Sequence, residues 1–585
     1  MALLKSESPN VAIREVDLSG VVPGVTSSTG AYVGDFAWGP VNSPILVGNE
    51  AELVDNFGDP SYNNDSSAID FLSATQFLKY SSDLFVVRGA TSAAKNAVDS
   101  GSTVDLIENL ADWDATKSGA SGNFIAKWAG TAGNSLKIDV CGSKDSAWSN
   151  WSYQSSFDAK PGTSTWVSAR SADSALALDE VHVAVVDENG VFSGTPNTVL
   201  ETFANVSLAT DAKTVDGSTN YILDVLSDRS EYVWGANHPS QLFGAGVAAA
   251  SFNNATHGAD NTSSPLSNSF TGGVNSGSLT TTEYLAGFDE FEDENTIQVD
   301  FLIAPGINSS TDHKTVVNDL VATAISRKDC MVVASPNRAS VVNVNDPSTA
   351  VANIVGTAND PTTGSVNSFT SSSYLTVDNN YLKVYDKYND KYTFIPAASS
   401  TAGLMANTDN VSAPWFSPAG ARRGNYLGVT SLAYNPTKSQ RDLLYKAGVN
   451  PIVNLPGQGI VLYGDKTFIR RPSAFDRINV RRLFLIIERA IKGAAQNVLF
   501  EFNDEFTRAE FVNIIEPFLR EVQGRRGITD FKVVCDDTNN TANVIDTNSF
   551  VASVFVKPAR SINYVTLNFV GVRTGVDFEE VVGTV

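Results

Sequence analysis

Gly459-Ile-Val-Leu-Tyr-Gly464-Asp-Lys466-Thr467 comes within one residue of a phosphate-binding loop. In such a loop the lysine follows its glycine directly and so reaches the phosphates. Here Asp465 intervenes and adds a repelling carboxylate, so the segment predicts a tight turn between strands. Gly457-Gln-Gly459 begins a dinucleotide fingerprint, but Leu462 stands where the third glycine would be. The chain has no Gly-x-Ser-x-Gly elbow and no His-Glu-x-x-His pattern. Phe288-Asp-Glu-Phe-Glu-Asp-Glu294 concentrates carboxylates without the glycine and ligand spacing of a calcium loop, which predicts a solvated acidic loop. His182 lies in an apolar, strand-like run and reads as a structural histidine. Cys141, Cys330 and Cys535 are far apart, and the four histidines are scattered, so neither a disulfide framework nor a zinc site is expected. These residues argue for no enzyme, no catalytic residues, no metal and no cofactor. Carboxylates distant in sequence and assembled only in space stay invisible at this level.

The elements that would position any such chemistry belong to a chain of 585 residues, enough for about four domains. Apolar residues make up 42% and charged residues 18%, so several ordinary cores can form. The formal charge of −23 repels phosphate backbones and argues against direct nucleic-acid binding. That charge is uneven: residues 1–436 hold 22 Lys/Arg against 47 Asp/Glu, and residues 437–585 hold 19 against 17. Arg470, Arg471, Arg477, Arg481, Arg482, Arg489 and Lys492 are opposed nearby only by Asp476 and Glu488. This basic run is either a solvated, internally paired surface or a docking face for an acidic partner. The start lacks a signal-peptide apolar region, and no apolar run is long enough to span a bilayer. A soluble protein made in the cytoplasm, without membrane insertion, is the expectation.

Val11-Ala-Ile-Arg-Glu-Val16 alternates as a strand does, punctuated by Pro9, Gly20 and Pro23. A strand this short and terminal must join another sheet. Residues 29–88 read as an α/β piece. Its elements are a strand at Ala31–Val33, a helix capped by Asn49 and stopped at Gly58, a helix over 66–80, and a strand at Leu84–Val87. Residues 91–280, with nine Lys/Arg against 20 Asp/Glu, read as β-rich insertions. A βαβ unit follows: Val299–Ile303, a helix over 312–328 burying Val316, Val317, Leu320, Val321 and Ile325, and Cys330–Val333. Residues 381–394 form a hairpin around Lys387–Asp390.

Toward the C-terminus, the spacing predicts a helix over 479–495 with Leu483, Ile486, Ile487, Ala490, Ile491 and Ala494 on one stripe. Asp504 would cap a second helix over 505–523, burying Phe506, Phe511, Ile514, Ile515, Phe518 and Leu519. Pro517 should kink or split it. Phe550–Val556 and Ile562–Phe569 read as strands, and Val576–Val582 alternates like one with nothing after it to pair with.

Ala413-Pro-Trp-Phe-Ser-Pro-Ala-Gly420, Leu443-Leu-Tyr-Lys-Ala-Gly-Val-Asn450-Pro, Pro456-Gly-Gln-Gly-Ile-Val-Leu-Tyr-Gly464, Phe475-Asp-Arg-Ile-Asn-Val-Arg-Arg482 and Leu499-Phe-Glu-Phe-Asn503 follow in order. Trp38-Gly-Pro40, Leu53-Val-Asp-Asn-Phe-Gly58-Asp-Pro60, Cys535-Asp-Asp-Thr-Asn-Asn-Thr541 and Pro558-Ala-Arg-Ser-Ile-Asn-Tyr564 flank them. This order resembles the tail sheath proteins of contractile-tailed bacteriophages, over about residues 1–90 and 285–585.

The resemblance implies an α+β multidomain fold with an α/β sheath core. It implies arms at 1–22 and 572–585, a middle domain from 23–90 and 281–436, and outward β-rich insertions at 91–280. It also implies an inner mixed sheet-and-helix domain at 437–571, completed by both termini. Val11, Ile13, Val16, Val576, Phe578 and Val581 would pair with a neighbour's sheet, since exposed edges template pairing with another chain. Arg520, Arg525 and Arg526, or alternatively Arg481 and Arg482, would face the tail tube. The first group is preferred, because Arg481 and Arg482 begin a largely buried helix. Implied partners are many copies of the chain in stacked rings or a helix, the tail tube protein, and baseplate and tail terminator proteins. Assembly in the host cytoplasm into a virion, then contraction driving the tube through the host envelope, would follow. A bacterial contractile injection machine is the alternative. A more remote one is an acidic cytoplasmic hydrolase on the 299–333 unit, for which the sequence offers no convergent polar residues at strand ends.

Overall fold

The computed structural model describes residues 28–60, 65–99, 104–117, 122–169, 178–237, 265–357 and 363–563. The described residues divide into two compact units, one from 28–414 and 418–490, the other from 415–417 and 491–563. The expected arm strands at 11–16 and 576–582, and most of 562–569, lie outside the described residues.

The larger unit opens with β1 (Gly30–Asp35), β2 (Ile45–Val47), α1 (Glu50–Phe57), α2 (Asp65–Leu78) and β3 (Leu84–Gly89). Asn49 caps α1 by accepting the Glu52 N–H at 3.0 Å, and Gly58 ends it at φ +74°, a conformation that costs glycine little. β1 and β3 pair in parallel from Gly30↔Leu84 to Asp35↔Gly89. Gly30 is required by packing: a Cβ there would lie 2.8 Å from the Phe77 ring.

Next come β4 (Leu136–Cys141), β5 (Glu180–Asp187), β6 (Thr198–Ser207) and β7 (Leu266–Ser269), antiparallel in the order β7-β4-β5-β6. Alternate inward residues of these strands, such as Leu136, Ile138, Val140, Val181, Val183 and Val185, form a core of their own.

The chain then returns through α3 (Thr281–Asp289), β8 (Phe301–Ile303), α4 (Ser310–Arg327), β9 (Met331–Ala334) and β10 (Leu375–Asp378). A hairpin of β11 (Tyr381–Asp386) and β12 (Lys391–Pro396), α5 (Ala398–Val411), α6 (Lys438–Lys446) and β13 (Val449–Asn450) follow. A second hairpin, β14 (Ile452–Leu455) with β15 (Gly459–Leu462), leads to α7 (Ile478–Gln496). The main sheet runs β13-β10-β9-β8-β1-β3-β2, parallel except for β2 against β3. Buried clusters line both of its faces, as a sheet built from parallel crossovers requires. α4 buries Val316, Val317, Leu320 and Val321, but Ile325 is exposed, one position beyond that stripe.

In the smaller unit, α8 (Glu505–Gly524) precedes an antiparallel pair, β16 (Ile528–Val534) and β17 (Ser553–Pro558). Two expectations are corrected here. Phe506 is exposed, because the buried stripe of α8 runs Phe511, Ile515, Leu519, Val522. Pro517 does not split the helix, which runs unbroken past it. Pro517 and Asn513, whose carbonyl loses its helical donor, are both exposed residues, on the face of α8 away from its buried stripe.

Candidate functional site

β16 and β17 pair from Ile528↔Pro558 to Val534↔Ser553, with an irregularity between Ile528 and Asp530. The pair is a two-stranded sheet among the described residues, so each strand has one edge whose backbone groups meet no strand. A lone two-stranded sheet is marginal, and an open edge is a pairing template. α8 supports it: Phe511, Ile515, Leu519, Val522 and Ile528 are all buried. The Lys557–Asp530 pair at 2.9 Å is solvent-exposed. Val11, Ile13, Val16, Val576, Phe578 and Val581 lie outside the described residues.

Arg520, Arg525 and Arg526 gather at the C-terminal end of α8. Arg520 pairs with Glu516 at 3.1 Å, and Arg525 lies 3.7 Å from Glu521, both on the surface. The Arg525 guanidinium sits over the Trp415 ring at 5.1 Å, while the Arg525 carbonyl accepts the Trp415 indole N–H at 3.0 Å. Arg526 adopts φ +68° in the turn that follows. Surface pairs of this kind contribute little stability.

Arg481 and Arg482 are buried in the larger unit. Arg481 stacks on Phe475 at 4.1 Å and Tyr374 at 4.4 Å. Arg482 donates to the Met405 carbonyl at 2.9 Å and pairs with Asp409. Arg477 pairs with Asp465 at 3.0 Å and Arg489 with Asp300 at 2.7 Å. Four members of the basic run are therefore engaged internally.

The carboxyl ends of β10 and β13, at one edge of the main sheet, carry a polar layer that sequence reading missed. Asp378, Asn379, Asn380 and Asn450 are fully buried. Asp378 accepts from the Thr401 hydroxyl at 3.2 Å, and burial raises its carboxyl to about 7. Asn379 accepts the Ile452 N–H at 2.7 Å and donates to the Tyr434 hydroxyl at 2.8 Å. Asn450 accepts the Lys466 N–H and donates to the Lys466 carbonyl, both at 2.8 Å. Convergent polar residues thus exist at these strand ends, outside the 299–333 unit for which none was expected. They bond the Thr401 and Tyr434 hydroxyls and nearby backbone groups, and so tie strand ends together. The available signal was the Asp-Asn-Asn run directly after an apolar strand.

The segment that nearly spells a phosphate loop is β15 with the turn after it, and the Lys466 ammonium donates to the Tyr445 carbonyl at 2.8 Å. His182 stacks on Phe157 at 4.4 Å, accepts the Asn205 N–H at 3.0 Å, and lies 2.7 Å from the Ala159 carbonyl. Burial lowers its pKa, and the ring is structural. Among the described residues no group of three or more His, Cys, Asp or Glu is placed to hold a metal, and no helix is long and apolar enough to cross a membrane.

Three family models match in chain order: the tail sheath protein Gp18 domain III N-terminal region at residues 27–88, the phage tail sheath protein central domain at 277–468, and the phage tail sheath C-terminal domain at 470–570. The tail sheath protein of Vibrio phage KVP40 is 33% identical, covering 98% of this chain and 99% of that one. The tail sheath protein of Enterobacteria phage T4 is 31% identical over 98% of this chain and 99% of its own. Among solved structures, a sheath tail protein from Listeria innocua shares the fold at a TM-score of 0.51 and 12% identity, covering 92% of this chain and 97% of that one. With these matches spanning nearly its whole length, the chain belongs to the phage tail sheath family.

Proposed function

We propose that this chain is the repeating subunit of a contractile phage tail sheath, assembled around a tail tube in the host cytoplasm and carried in the virion. The observation that carries this reading is the near-full-length similarity to tail sheath proteins of two phages. That similarity favours a phage over a bacterial injection machine. Segments 1–22 and 572–585 act as arms that add strands to the open edges of β16 or β17 in neighbouring copies. Each backbone hydrogen bond nets only about 0.5–1.5 kcal/mol, but an arm makes several. A contact that passes from copy to copy is heterologous and need not close, so repetition builds a tube.

Contraction then proceeds by reorientation of nearly rigid units from a kinetically trapped extended state, with the arms keeping the lattice connected. The work comes from rearrangement, so no catalytic step is assigned. Residues 23–90 with 281–436 are assigned to the middle domain, 437–571 to the inner one, of which 437–490 pack within the larger compact unit, and 91–280 to the outward face. Arg520, Arg525 and Arg526 contact the tube, and baseplate and tail terminator proteins bound the ends. Electron microscopy of the purified protein tests this reading: long striated tubes are expected, and persistent monodisperse monomers contradict it.

A further inference from the structure

The basic run divides in two. Arg477, Arg481, Arg482 and Arg489 are held internally, but Arg470 and Arg471 are exposed on the wall of a cleft of about 610 Å³. Lys446 from the end of α6 and Lys466 line the same cleft. The four cations are opposed by one lining carboxylate, Asp476, itself 3.9 Å from Arg477. The wall is built. Arg470 donates to the Asn367 carbonyl at 2.8 Å, and Lys466 sits 4.1 Å over the Tyr445 ring. Burial and the Arg477 charge push the Lys466 ammonium below its ordinary pKa, as an electropositive recess does. Neither Lys446 nor Arg471 has an ion-pair partner among the described residues.

The same unit presents a complementary feature. The acidic run after α3 is pinned by Phe288 and Phe291, both buried, and Arg327 clamps it by donating to the Phe291 and Ile297 carbonyls. Asp289, Glu290 and Glu292 project into solvent between these anchors. Asp319 beside them has its carboxyl raised by burial and by the Asp289 and Glu292 charges, so the patch repels itself. Both patches reach the surface and are preorganised, and among the described residues no ion pair joins them.

We propose that the cleft of Lys446, Lys466, Arg470 and Arg471 is a carboxylate-binding site that receives the Asp289–Glu292 loop of a second copy. Because the two patches differ, the contact is heterologous and propagates from copy to copy. Opposed charges also speed encounter and fix register. The inference rests on the sheath reading only for the supply of neighbouring copies.

Two experiments on the full chain test it. In the first, Arg471→Cys and Glu292→Cys proteins are purified separately, mixed, polymerised and treated with a short bismaleimide. The native cysteines are all buried, and wild-type protein sets the background. A crosslinked dimer in the mixture above that background is expected. Tubes that form normally without it overturn the proposal and leave the sheath reading standing, whereas wild-type protein that never polymerises overturns both.

In the second, Lys446→Glu with Arg471→Glu is expected to slow polymerisation at least about tenfold, and so is Glu290→Lys with Glu292→Lys. The fourfold combination should recover most of that loss, since coupled charge pairs carry the energy only when matched. Unchanged assembly of the cleft variant, with loss only of duplex DNA retention, would assign the cleft to a free polyanion and refute the proposal.

Discussion

Arg489 Nη1 lies 2.7 Å from Asp300 Oδ1, with both side chains nearly buried. Asp300 Oδ2 also accepts the Thr29 N–H at 3.0 Å, and Arg489 donates to the Asp329 carbonyl at 2.8 Å. One ion pair therefore ties α7 to the residues that precede β1, β8 and β9. Burial raises the Asp300 carboxyl to about 6 even against the pull of Arg489.

Removing one member of such a pair strands a buried charge. Arg489→Met should destabilise the larger unit by about 3–5 kcal/mol, read as a lower denaturant midpoint with an unchanged slope. Arg520→Met, on the surface, should cost less than about 1 kcal/mol in the same measurement.

Asp70 is fully buried, accepts from the Tyr32 hydroxyl at 2.7 Å and the Asp35 N–H at 2.9 Å, and has its carboxyl raised by burial to about 7 from an ordinary 3.8. Between those values the folded chain holds a proton that the unfolded chain has released. Stability from this group is therefore full at low pH and falls as pH rises through 7, by at most about 1.4 kcal/mol per pH unit. Asp70→Asn cannot titrate. Its denaturation midpoint should gain on the wild type's between pH 5 and pH 8, and a constant difference would contradict the assignment.

Much of this frame is legible in the sequence because its signals are local. Asn49 and Gly58 announce both ends of α1, and the spacing of Leu483, Ile486, Ile487 and Ala490 announces the buried stripe of α7. What stays hidden depends on partners far along the chain. The helical period alone could not tell that Phe506 begins outside the stripe and is solvent-exposed. Nor could it tell that Pro517 and Asn513 would both lie on the exposed side of the helix. Asp378 meets Thr401, and Asn379 meets Ile452, only once the strands are side by side. Within the basic run the fold buries Arg481 and Arg482, in line with their place at the start of a largely buried helix, and leaves Arg470 and Arg471 exposed, a split the spacing alone does not show.

Deleting residues 1–20 or 572–585 should leave a folded monomer that forms no tubes. Circular dichroism checks the first half of that outcome and electron microscopy the second. Tubes from either truncated protein would refute the arm assignment.

Reversing charge at Arg520, Arg525 and Arg526 should weaken attachment to the tail tube while sparing self-assembly. Co-sedimentation of sheath with tube measures it, and unchanged attachment would place the contact on another surface. The unfolding midpoint should barely move, since Glu516 and Glu521 pair with these arginines only at the surface.

The most direct measurement is a cryo-electron microscopy map of assembled tubes resolving residues 11–16 and 576–582. Backbone hydrogen bonds from these segments of one copy to β16 or β17 of another are expected. Finding both segments paired within their own molecule would contradict the account.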